Sequence, residues 1–256
     1  MSKSAMRVAI LSDIHGNLVA LDAVLADSAA QGGVDFFWLL GDYVALGPNP
    51  AGVLKRLEQL PNALFTRGNT DRYVAANERP FPLQQDVQEN PDLLIRYVNM
   101  NMGFAWTKGA VTAVNKLNWL ANLPLEHRTT LPDGTRCLGV HAAPGTDDGA
   151  GFKPGMDTAQ MAAQLAGCAA DLVFVGHTHQ RMDEQIGAVH LVNLGSVSNP
   201  VGGDLRAKYV ILTADETGHT IEPRFVDYDH QAVIDELEII GHPSAAFISQ
   251  FMRGEM

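Results

Sequence analysis

Met6-Arg-Val-Ala-Ile-Leu-Ser-Asp-Ile-His-Gly-Asn17 is a short apolar run that stops abruptly at Asp13, Ile14 and His15. The run reads as a buried strand whose last residues are polar. If the backbone stays extended, Asp13 and His15 are two apart and their side chains leave on the same side, setting a carboxylate beside an imidazole. That is half of a metal site. Taken alone, such a triplet is more often a helix cap followed by a solvated histidine. Its meaning therefore depends on where the other strands end.

Working outward, Leu18 to Ala30 has Leu18, Leu21, Val24 and Leu25 at helical spacing and stops before Gly32-Gly33. Asp35 to Leu40 is a second buried strand, and it too ends in a polar turn, Gly41-Asp42. Pro50 to Leu60 reads as a helix and Ala63 to Thr66 as a third strand, ending in Arg67-Gly68-Asn69-Thr70-Asp71. In open sheets of strand-helix-strand units, ligands bind beyond the carboxyl ends of the strands, where helix N-termini converge. Asp13, His15, Asp42 and Asn69 therefore belong together.

From Tyr73 to His127 the pattern changes. Pro80, Pro82 and Pro91 interrupt a polar stretch, and Leu93 to Phe104 and Val111 to Leu123 have helical periodicity. This reads as a helical insertion over about 73–127, with Trp106 and Trp119 packing it against the body. Arg128 to Val140 reads as a hairpin around Pro132-Asp133-Gly134, and its second strand leads into His141. Met156 to Gly167 is helical. Asp171 to Val175 is a buried strand ending in Gly176-His177-Thr178-His179, and Ile186 to Asp227 reads as antiparallel sheet interrupted by Asn193-Leu194-Gly195-Ser196. His230 to Ile240 and Ser244 to Met252 form a helical tail over about 229–256. With no internal repeat or flexible linker, 1–256 reads as one domain carrying an insertion.

The chain has 256 residues, 46% apolar and 18% charged, a composition that supports a sizeable core. No apolar run reaches the roughly 18 residues that span a bilayer, and the first strand follows the N-terminus without a signal-like segment, so a cytoplasmic protein is expected. Cys137 and Cys168 lie in or beside apolar runs without Cys-x-x-Cys spacing and read as buried reduced thiols. The net charge of −11 argues against a general nucleic-acid-binding surface.

Asp13, His15, Asp42, Asn69, His141, His177 and His179 are seven oxygen and nitrogen donors, each at or just past the end of an apolar run. Singly, each histidine reads as a solvated or core residue; jointly they do not. Imidazole and carboxylate without thiolate suit Mn, Fe, Zn or Co. Seven ligands exceed one ion's needs, whereas two ions roughly 3.5–4 Å apart and sharing one carboxylate use them all. Asp42 is the expected bridge. His127, His190, His219, His230 and His242 lack this context and receive no role.

Asp13-x-His15, Gly41-Asp42, Gly68-Asn69-x-Asp71, His141 and Gly176-His177-Thr178-His179, in that order, resemble the calcineurin-like metallophosphoesterase superfamily, in its small bacterial and archaeal phosphodiesterase branch. Asn193-Leu194-Gly195-Ser196 resembles the family's late Asn-x-Gly-Ser loop. The resemblance implies an α/β fold, a four-layer α-β-β-α sandwich of two mixed sheets flanked by helices. It also implies one metal on Asp13, His15, Asp42 and His179 and another on Asp42, Asn69, His141 and His177. Two divalent ions are expected, manganese first, with iron, zinc, nickel or magnesium as alternatives. Asp13, Asp42, Asn69 and His141 would carry the catalysis, a hydroxide held by both ions attacking phosphorus.

One position departs from the family. Many members have histidine directly after the motif asparagine, to contact the phosphate and protonate the leaving group; this chain has Thr70. Leaving groups of low pKa are then favoured, because general acid help is worth about 10²–10⁴ in rate. The implied substrate is a small, nucleotide-like phosphorylated molecule, either a phosphodiester or a dinucleoside polyphosphate of the diadenosine tetraphosphate type. Asn69, Thr70, Arg67, Arg72 and Arg206 are the expected substrate contacts. A protein-interaction scaffold that has lost catalysis is the reading from another class, and the seven filled ligand positions weigh against it.

Overall fold

The computed structural model describes residues 5–256. In chain order its strands are β1 (Met6–Leu11), β2 (Phe36–Leu39), β3 (Ala63–Phe65), β4 (Glu126–Thr130), β5 (Arg136–Val140), β6 (Leu172–Val175), β7 (Met182–Ile186), β8 (Val189–Asn193), β9 (Ala207–Asp215) and β10 (Gly218–Val226). They form two mixed five-stranded sheets, β10-β9-β1-β2-β3 and β4-β5-β6-β8-β7. The α-helices are α1 (Leu18–Ala30), α2 (Pro50–Leu57), α3 (Asn69–Ala76), α4 (Gln84–Glu89), α5 (Leu94–Ala113), α6 (Leu117–Ala121), α7 (Thr158–Leu165), α8 (His230–Ile239) and α9 (Ala245–Arg253).

The apolar run of β1 is continuous because both its faces are buried. Val8 and Ile10 join Trp38, Leu172, Phe174, Val192 and Val210 in the layer between the sheets. Ala9 and Leu11 face the other way, into Leu21, Val24, Val53 and Leu57 of α1 and α2. The outer face of the second sheet, through Leu138, Val140 and Val173, packs on Met161 and Leu165 of α7. Four layers, helix-sheet-sheet-helix, result as expected. Gly139 is fixed by this packing: a Cβ there would stand 2.5 Å from the Trp38 ring.

Strand direction places the site. β1, β2 and β3 run parallel in the first sheet, and β5, β6 and β8 run parallel in the second. All six carboxyl ends therefore open at one edge of their sheets, and the His141 imidazole bonds the Leu40 carbonyl across the two, 2.7 Å away.

Three expectations need correction. The stretch read as uniformly antiparallel contains β8, which pairs parallel with β6; its short apolar alternation is compatible with either direction. The two helices expected over Leu93 to Phe104 and Val111 to Leu123 divide further along: α5 runs through the glycines at 103 and 109 to Ala113, and the break comes at Asn115, with φ of 58°, before the short α6. Residues 73–76 belong to α3, which begins at the site itself, so the inserted helices run from α4 to α6. Trp119 does pack the insertion down, its ring 5.3 Å from Phe65 and 5.9 Å from Tyr43. The tail helices α8 and α9 pack through Val233, Leu237, Ile248 and Met252. Among the described residues no helix is long and apolar enough to cross a membrane, and both cysteines are free and buried.

Candidate metal centre

The strand ends do not stay extended. Asp13, His15, Asp42, His177 and His179 have φ of 59°, 50°, 58°, 69° and 59°, the left-handed region that non-glycine residues rarely adopt. The same-side geometry expected of an extended Asp13-x-His15 is thus replaced by a tight turn. Neighbouring backbone fixes it: Asp13 N–H donates to the Gly41 carbonyl at 3.1 Å, His15 N–H to Asp42 at 2.9 Å and Ser198 N–H to Asp13 at 2.9 Å. Gly68 and Gly176 make room for the carboxylates, since a Cβ at either would collide with Asp42 or Asp13 respectively.

Each of the four imidazoles turns one nitrogen toward a backbone carbonyl. His15 Nδ1 meets Ala45 at 3.0 Å, His141 Nδ1 meets Leu40 at 2.7 Å, His179 Nδ1 meets Asn199 at 2.6 Å and His177 Nε2 meets Gly149 at 2.9 Å. A nitrogen facing a carbonyl must carry the proton, so in the neutral ring the other nitrogen is a bare lone pair. Those remaining nitrogens converge. His15 Nε2 and His179 Nε2 are 3.1 Å apart, and Asn69 Oδ1 lies 3.0 Å from His141 Nε2 and 3.1 Å from His177 Nδ1.

The carboxylates sit among them. Asp42 Oδ2 is 3.7 Å from His15 Nε2 and 3.5 Å from His141 Nε2, while Asp13 Oδ1 is 3.3 Å from His179 Nε2 and 3.9 Å from His141 Nε2. Two groups have their ligand atoms within 4.8 Å of one another: Asp13, His15 and His179, and Asp13, Asp42 and His141. Asp13 thus falls in both groups, although the sequence assigned the shared position to Asp42, which also faces histidines of both sets.

Asp13, His15, Asp42 and His141 are buried, Asn69, His177 and His179 are partly open, and Asp13 Oδ1 has no hydrogen-bond partner. An orphaned buried carboxylate oxygen amid imidazole nitrogens that become bare once the rings are neutral is a set of donors fit for a divalent cation. Protons respond to the same field. Burial opposes charge on His141, yet the Asp42 and Asp13 carboxylates push its pKa up to about 10. Burial holds His15 down to about 4. Asp13, which burial alone would raise, is lowered to about 2 by His179 and His141.

Two residues quoted only as parts of motifs prove to organise the site. Asp71 is fully buried, and its carboxylate accepts from the N–H groups of Asp42 at 2.8 Å, Gly68 at 3.0 Å and Tyr43 at 2.9 Å; burial, then the nearby Asp42 charge, raises its pKa to about 7. Its place in Gly68-Asn69-x-Asp71 was the available signal. Asn193 Nδ2 donates to the Gly176 carbonyl at 2.8 Å and the Phe152 carbonyl at 2.9 Å, holding the His177–His179 turn.

The three expected substrate arginines are all paired. Asp147 accepts from Arg67 at 2.6 Å and Arg72 at 3.0 Å, and Asp148 from Arg72 at 2.9 Å. Both aspartates lie on the loop whose Gly149 carbonyl meets His177. Arg206 pairs with Asp204 at 2.9 Å and stacks on Phe225. Thr70 is buried, donating its backbone N–H to Asp42 Oδ1 at 2.9 Å, while its hydroxyl has no partner. Of the histidines given no role, His127, His190, His219 and His230 bond ordinary carbonyls or carboxylates, and His242 is buried against Trp106.

Residues 6–217 match the family model described as the calcineurin-like phosphoesterase superfamily domain. The chain belongs to this superfamily. Calcineurin-like phosphoesterases hydrolyse phosphoric esters with metal ions, and the Asp and His groups above are this chain's candidate ligands. Among relatives, phosphodiesterase YfcE of Escherichia coli is 27% identical over 82% of this chain and 89% of its own. A symmetrical bis(5'-nucleosyl)-tetraphosphatase of Pectobacterium carotovorum is 29% identical over 62% of this chain and 49% of its own. The crystal structure of a metallophosphoesterase from Sphaerobacter thermophilus superposes with a TM-score of 0.71 at 25% identity, covering 98% of this chain and 100% of that one.

Proposed function

We propose that the chain is a phosphodiesterase using two divalent ions, manganese first, one on Asp13, His15, Asp42 and His179 and the other on Asp42, Asn69, His141 and His177. The observation that carries this is the convergence of four imidazoles, each pinned through one nitrogen to a backbone carbonyl and each offering the other to Asp13, Asp42 or Asn69. When bound, the ions supply the acidity that makes water a nucleophile near neutral pH and the charge that balances phosphoryl oxygens. The chain's own residues orient these donors and hold them without reorganisation.

Thr70, in place of the family histidine, offers a hydroxyl that does not protonate a leaving group near neutral pH. Substrates whose leaving oxygen is stable as an anion are therefore preferred: aryl-type phosphoesters and pyrophosphate-linked dinucleoside polyphosphates. The latter version is favoured by a cavity that shares Asn69 and Thr70 with the metal centre.

The test is a panel of bis-aryl phosphodiester, aryl monoester, cyclic nucleotide and dinucleoside tetraphosphate, with manganese and with chelator. Manganese-dependent hydrolysis of the first or last is expected. Protein that binds no transition metal and hydrolyses nothing after manganese is supplied would reverse the reading in favour of a scaffold.

A further inference from the structure

A cavity of about 870 Å³ is lined by Asn69, Thr70 and Tyr73 of α3, by Phe81, by α5 and by the segment from His242 into α9. It exists because α5 and the tail come close: Gly103 lies where a Cβ would stand 2.5 Å from Ser244 Oγ. Its volume is that of a small-molecule site, about 300–1,000 Å³. A phosphoryl group and its ions need only the Asn69 side. The rest of the wall is mostly apolar, through Ile95, Met100, Phe104 and Phe247, with Asp92, Arg96 and Asn99 as polar groups on α5 and its approach.

Three features indicate what the apolar part takes. Phe81 and Phe247 are 55% and 44% exposed, large aromatic surface left open beside a reactive centre. The Arg96 guanidinium lies 5.6 Å from the Phe81 ring centroid, and among the described residues no carboxylate, Asp92 on the same wall included, comes within ion-pair distance of it, in a chain of net charge −11. A planar cation against an aromatic ring is a platform on which a nucleobase stacks. The third feature is His242, 5% exposed, whose Nδ1 accepts from the Ser244 N–H at 3.0 Å. With Nδ1 accepting, the proton of the neutral ring is on Nε2, and Nε2 has no partner. A buried donor without a partner, on a residue that lines the cavity, is satisfied by a ring nitrogen or carbonyl of a heterocycle seated against it.

We propose that this cavity is the subsite for the nucleoside of a nucleotide substrate, with Arg96 and Phe81 as the stacking platform and His242 as the donor to the base. The inference rests on the phosphoesterase reading above and specifies which organic group the cleaved phosphate carries. The subsite is built from the inserted helices and the tail, outside the strand ends that hold the metal ligands.

The test compares two esters with the same leaving group, adenosine 5'-(p-nitrophenyl) phosphate and methyl p-nitrophenyl phosphate, on the manganese-loaded enzyme, and titrates adenosine into the metal-free protein by calorimetry. The wild type is expected to favour the nucleoside ester at least tenfold in kcat/KM. Phe81→Ala and Arg96→Ala, both at exposed positions, should abolish that preference while changing the methyl ester less than twofold. His242→Phe should weaken adenosine binding about tenfold. Equal kcat/KM for the two esters in the wild type, or equal losses on both in the variants, would overturn the subsite. If neither ester is cleaved, the phosphoesterase reading fails, and the titration still decides the cavity: adenosine binding lost in Arg96→Ala supports it, and no binding by the wild type overturns it.

Discussion

His15 Nε2 and His179 Nε2 face each other 3.1 Å apart while both Nδ1 atoms are held by backbone carbonyls. With both rings neutral two lone pairs would face each other there, so the pair holds either a shared proton or a cation, and a divalent ion competes with that proton. Manganese should therefore raise the unfolding midpoint, by the equivalent of about 2.7 kcal/mol at a hundredfold excess over Kd, and chelator should reverse it. A scan insensitive to both would contradict the assignment.

Asp13→Ala and His15→Ala each remove a converging donor. Metal content should fall in both, with activity down by about a hundredfold or more, while circular dichroism stays close to wild type. Full activity in Asp13→Ala would remove this residue from the centre.

Asp71→Asn keeps the shape but leaves one oxygen to serve three backbone N–H groups. At least one buried N–H loses its partner, at a cost of about 1–3 kcal/mol. Chemical denaturation should register that loss, and metal affinity should drop about 10–100-fold, as for groups that orient ligands.

Asp147 joins Arg67 and Arg72 to the loop that carries Gly149. If these arginines act by holding that loop, Asp147→Ala should lower kcat about tenfold, with Asp147→Glu recovering part of it. If instead they bind substrate directly, freeing them would leave kcat intact and lower KM. Steady-state kinetics separate the two.

Burial holds the His242 imidazole down to about 4, against an ordinary 6.5. The unfolded chain then takes up a proton in a range where the folded chain does not, so the stability from this group is complete above about 6.5 and is lost as pH falls toward about 4. By about pH 5 the loss is on the order of 2 kcal/mol. Relative to His242→Gln, the wild type should lose its advantage on acidification; a difference independent of pH would refute this.

The layer order was legible, and so was the gathering of the seven candidate ligands at one edge, because each lies at or just past the end of an apolar run and strands buried on both faces, such as β1 and β6, tolerate polar residues only where they end. The direction of β8 was not, since Val189–Asn193 carries no mark of whether its neighbour runs alongside or against it. Nor were the carbonyls of Leu40, Ala45, Gly149 and Asn199, which orient the imidazoles: every residue has a carbonyl, and only folding selects these four. The cavity escaped for another reason. Phe81 and Arg96 meet at the start of the insertion, and His242 joins their cavity only when α5 meets the tail.

The bond from His141 to the Leu40 carbonyl crosses from one sheet to the other, and the donors flanking it come from both. An ion bound there grips the two halves of the sandwich at once. If the centre holds an ion, separating the sheets would pull its ligands apart together with the apolar layer, so its occupancy would report whether the sandwich is closed.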